Sequence, residues 1–169
     1  MKRRDRTHLF LLVMVLLLGA AVYAELRREQ ALALDPLTTL DPAVVRTLMV
    51  TCTGCKPRHF EKVGEHWQMQ TPYAQAADDA AVERLVAIAR APVRFRHAAG
   101  RLDPAKLGLD PALATLQLDH TVLKFGTTDA IHGDRYVEIG AVIALVPDRF
   151  SAWLFETPES ELAKPARHK

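Results

Sequence analysis

The chain holds two cysteines, and they fall within four residues of each other as Cys52-Thr53-Gly54-Cys55. Two thiols at that spacing suit redox catalysis, a metal site or a stapled turn. A thioredoxin-type pair needs a helix to begin at the first cysteine, so that the helix dipole stabilises its thiolate. Here Lys56-Pro57 follows at once and Gly64 is close behind, which leaves almost no room for a helix. A c-type haem attachment would place histidine at position 56, which is Lys56, and a zinc knuckle would require a second ligand pair. In an oxidising compartment the expectation is a Cys52–Cys55 disulfide across a tight turn.

The densest polar cluster lies in the stretch Gly126 to Asp134, where Asp129, His132 and Asp134 put two carboxylates and an imidazole within six residues. Function concentrates on such loops, so these three are the candidate contacts for a ligand or partner, although a plain hairpin loop has the same composition. The remaining chemistry-bearing residues do not converge. His59, His66, His97 and His120 lack metal-ligand spacing, and Ser151 and Ser160 lie outside any Gly-x-Ser-x-Gly elbow. No catalytic set, metal site or cofactor motif follows, and the expectation is a protein that is not an enzyme.

What must position these groups begins with the N-terminus. Residues 1–8 form a basic flank, and Leu9 to Ala24 runs without a charge. This pattern predicts a transmembrane anchor or signal over residues 9–26, with the N-terminus in the cytoplasm and the rest of the chain outside, tied to the inner membrane. Residues 27–42 read as a linker with two Leu-Asp-Pro steps. Beyond residue 24 the chain carries 18 basic against 19 acidic residues, a near balance that gives no electrostatic case for nucleic acid.

Residues 43–156 carry the packing signals. Val44 to Thr51, His59 to Val63 and Trp67 to Thr71 alternate like the strands of a meander. Asp78 stands at an N-cap position before Val82, Leu85, Val86 and Ala89, which recur at helical spacing up to Ala91-Pro92. Val93 to His97, Ala114 to Leu118, Thr121 to Phe125, Arg135 to Ile139 and Val142 to Val146 predict a second strand group. Asp148 then opens a short C-terminal helix. The fold class expected is α+β: an N-terminal transmembrane helix, then one domain of largely antiparallel strands, with one main amphipathic helix between two strand groups. Residues 157–169 read as a flexible tail.

Trp67-Gln-Met-Gln-Thr-Pro72, then Ala77-Asp78, then Leu107-Gly108-Leu109, then Phe125-Gly126 and Arg135-Tyr136-Val137 resemble, in order and spacing, the family catalogued as DUF4340, a domain of unknown function. The resemblance spans about residues 40–156. It implies an extracytoplasmic domain behind one membrane helix, an accessory of envelope transport, and it supplies no catalytic residues. Trp67, Pro72, Asp78, Gly108, Leu109, Gly126 and Tyr136 carry the motif, and each has a structural use in burial, capping, turning or packing. The function expected is a non-enzymatic interaction domain of the bacterial envelope with another envelope protein as partner. A periplasmic thiol-disulfide oxidoreductase using Cys52 and Cys55 is the alternative.

Overall fold

The computed structural model describes residues 11–24 and 35–163. They fall in two units, Met1–Asp35 and Pro36–Lys169. In the first, residues 11–24 form helix α1. Its fourteen residues rise about 21 Å, well short of a hydrocarbon core of roughly 30 Å. Among the described residues no helix is long and apolar enough to cross a membrane, which corrects the expected transmembrane helix over residues 9–26. Positions 9, 10, 25 and 26 of that span lie outside the described residues.

The second unit is built on period-two alternation. In β1 (Thr47–Cys52) Leu48 and Val50 are buried while Thr47 and Met49 face out. β2 (Arg58–Val63) buries Phe60, and β3 (His66–Thr71) buries Trp67 and Met69. β4 is the short strand Gln75–Ala76. After the helix Asp79–Ala87 come β5 (Phe95–Ala98), β6 (Ala114–Leu118), β7 (Thr121–Thr128), β8 (Asp134–Ile139) and β9 (Val142–Pro147). All nine join in one antiparallel sheet of order β4-β3-β2-β1-β6-β7-β8-β9-β5.

This single sheet overturns the α+β arrangement of two strand groups flanking a helix. β1 pairs with β6 in the register Leu48↔Leu118, Val50↔Leu116 and Cys52↔Ala114, so the two groups are fused. The physical reason is that each group alone would leave an edge of unpaired N–H and C=O groups beside its own buried apolar face, and joining them satisfies both. The molecule is a mostly antiparallel β-sheet with a few short helices.

Helix α2 (Asp79–Ala87) connects the two edge strands β4 and β5. The Asp78 carboxylate caps it by accepting from Ala80 N and Ala81 N. Its apolar stripe of Ala81, Val82, Leu85 and Val86 is buried in the same core as the inward sheet residues. The expected continuation to Arg90 tightens into a 3-10 turn, Ile88–Arg90. α3 (Ser151–Leu154) contributes Leu154, and the residue before it, Phe150, lays its ring edge-on to Phe125.

Two segments read as linker and tail belong to this core. Leu37 is buried, and its N–H donates to Ala91 O. Past Thr157 the chain makes a 3-10 turn, Pro158–Glu161, in which Pro158 and Glu161 are buried, and Leu162 bridges Ala77. The part of the expected tail beyond Ala163 lies outside the described residues.

Candidate functional site

The two thiols close the turn between β1 and β2. Cys55 N donates to Cys52 O, Gly54 takes a φ of 80°, and a disulfide joins Cys52 to Cys55 with their Cα atoms 5.3 Å apart. That positive φ is what glycine supplies without strain. Strand, not helix, follows the turn, so no helix dipole is aimed at either sulfur.

Immediately after the turn stands Arg58, completely buried. Its Nη1 donates to Trp153 O at 3.2 Å and to the Glu161 carboxylate, and its Nη2 donates to Leu154 O. Burial depresses the guanidinium's pKa, opposed by the charges of Glu161 and Glu156. Glu161 is 2% exposed, and burial pushes its carboxyl up to about 7 against the pull of Arg58. Sequence reasoning missed both residues. Arg58 shares the inward parity of Phe60 on β2, a signal that was there to read. Glu161, in a polar stretch without periodicity, offered none.

The loop of Asp129, His132 and Asp134 is shorter than expected, because β7 continues to Thr128 and β8 begins at Asp134. The three side chains do come together, with one candidate ligand atom of each lying within 4.8 Å of the others. Their bonding is internal. Asp129 Oδ2 accepts from Ile131 N and His132 N, Asp129 Oδ1 accepts from Asp134 N at 2.7 Å, and Asp129 N donates to Asp134 O. Burial raises the Asp129 carboxyl, but these main-chain donors outweigh it and hold the group below the usual carboxylate range. Asp134 is buried against Arg94, 2.6 Å away. The Asp129 carboxylate is thus taken up in holding the loop, and that of Asp134 lies against Arg94. At its tip Ile131 is 84% exposed, with the half-exposed His132 beside it.

The motif residues are dispersed, each in a structural setting. Trp67 is buried and its main-chain N–H donates to Asp79 Oδ1, while Pro72 is exposed just past β3. Gly108 is left-handed with a φ of 67°, and Leu109 is buried. Gly126 lies so close to the 99–112 segment that a Cβ there would meet Leu107 O at 2.1 Å. Tyr136 is half-buried on β8. The Ser151 hydroxyl donates a hydrogen bond to the Asp148 carboxylate. No family model, no curated protein and no solved structure matches the chain.

Proposed function

We propose that this protein is a non-enzymatic interaction domain that acts outside the cytoplasm and grips another envelope protein through the tip of the β7–β8 loop. One observation carries the reading. Ile131 stands almost fully in water on a loop whose main chain is tied down by the Asp129 carboxylate. An apolar side chain held out on an ordered loop has little further entropy to lose on docking. The Cys52–Cys55 disulfide supports an oxidising compartment. Asp129 and Asp134, read from sequence as contacts, serve this function by shaping the loop, and Ile131 and His132 make the contact.

The test is replacement of Ile131 by aspartate, with co-purification of the native partner as the readout. Partner yield falls at least tenfold while the denaturation midpoint is unchanged. A Cys52→Ala/Cys55→Ala double variant still binds. If that double variant alone abolished binding and the purified protein reduced insulin efficiently, thiol-disulfide exchange would replace this reading.

A further inference from the structure

Where α2, the Ala91-Pro92 turn, the end of β9 and α3 meet, the surface opens into a cleft of about 150 Å³. Its lining is apolar: Ala87, Ile88, Pro92, Pro147, Phe150 and Trp153 all face it. The charged residues that line it are both arginines, Arg84 and Arg149.

The backbone around the cleft has little to offer an incoming strand. Pro92 and Pro147 carry no N–H. The N–H groups of Ala91, Arg149 and Trp153 are bonded within their own turns, to Ile88 O, Pro147 O and Phe150 O. Recognition therefore falls to side chains. The exposed Arg84 holds its guanidinium over the Trp153 ring, 5.8 Å from the centroid, and no carboxylate among the described residues pairs with it. A guanidinium placed over a ring keeps its N–H edge for a carboxylate.

Size decides what kind of molecule brings that carboxylate. An apolar cavity of this volume takes a group about as large as benzene. Pockets that enclose a small-molecule ligand run to roughly 300 Å³ or more. One apolar side chain fits the cleft, and the rest of its bearer must lie outside, as it does when a protein segment docks by a single anchor.

We propose that this cleft is an anchor site for an acidic segment of a partner protein, which seats one phenylalanine- or leucine-sized side chain in it and sets a neighbouring carboxylate on Arg84. The site shares no residue with the Ile131 loop, so either contact can fail while the other stands.

Fluorescence anisotropy on the full chain tests this with three labelled peptides built as Gly-Ser-Glu-Glu-x-Glu-Glu-Ser-Gly. In the first x is phenylalanine, in the second x is serine, and the third keeps phenylalanine but carries lysines in place of the glutamates. The first binds saturably and at least tenfold more tightly than the other two. Ala87→Leu, at an exposed helix position on the cleft, weakens it at least tenfold with the denaturation midpoint unchanged. Arg84→Glu transfers the preference to the lysine peptide, a swap that lost packing alone would not produce. No saturable binding, equal binding of the phenylalanine and serine peptides, or an Arg84→Glu chain that still prefers the acidic peptide overturns the proposal. Should Arg84→Glu fail to fold, Arg84→Gln replaces it and must lose the preference for acid; if it keeps that preference, the proposal is equally overturned. Benzoate that competes as tightly as the peptide would make the cleft a small-molecule site. A doubled mass in light scattering, abolished by Ala87→Leu, would make the occupant a second copy. Either result overturns the assignment to a partner protein.

Discussion

Arg58 and Glu161 put a titration near neutral pH inside the core. Glu161 has a folded pKa of about 7 against an ordinary 4.5, so between those values the folded protein holds a proton that the unfolded chain has lost. Stability from this group is therefore full below about pH 4.5 and falls as pH rises to 7, opposite to the usual salt-bridged carboxylate. The shift corresponds to about 3 kcal/mol. Urea denaturation of the wild type and of Glu161→Gln at pH 5 and pH 8 checks it: the wild type loses up to that amount relative to the variant, and parallel curves would refute it. Asp129 makes a local prediction. Asp129→Ala removes three main-chain acceptor contacts, so the amides of Ile131, His132 and Asp134 exchange with deuterium at least tenfold faster while strand amides keep their protection. The sequence grouped Asp129, His132 and Asp134 in one polar cluster, but not Asp129 as its fastener, because composition does not say which carboxylate is filled by N–H donors.

The β1–β2 turn and the 99–112 segment show how local elements are held. The Cys52–Cys55 bridge closes a very small loop, for which chain entropy gives about 2 kcal/mol. The Cys52→Ala/Cys55→Ala variant loses no more than that in guanidinium denaturation and keeps its β-sheet spectrum. Gly126 is less forgiving. With Leu107 O at 2.1 Å and Leu109 at 3.0 Å from a new Cβ, Gly126→Ala forces the 99–112 segment off β7 and costs about 3 kcal/mol or more, read as a lowered denaturation midpoint. Strand positions were legible where alternation was strong: β6 runs from Ala114 to Leu118 as its pattern predicts. β4 has only two residues, too few for any periodicity, and the packed turn at Pro158–Glu161 is polar in sequence because its buried glutamate is paired with a distant arginine.

One sheet carries the whole second unit, and the pairing that makes it so, β1 with β6, spans more than sixty residues of sequence. Such pairing depends on edges meeting in space, which periodicity does not encode. The expected transmembrane helix failed differently, since hydropathy marked an apolar run while the described helix, residues 11–24, is too short for a bilayer. The sheet leaves the β7–β8 loop with Ile131 exposed at its tip, where the proposed partner docks. The most direct test of that docking is a photocrosslinking amino acid at position 131 in living cells, with a matched probe at Gln117, exposed on β6. One discrete adduct is expected from position 131, lost when Asp129 is changed to alanine and absent from position 117. No adduct at 131, or the same adduct from both positions, would contradict it.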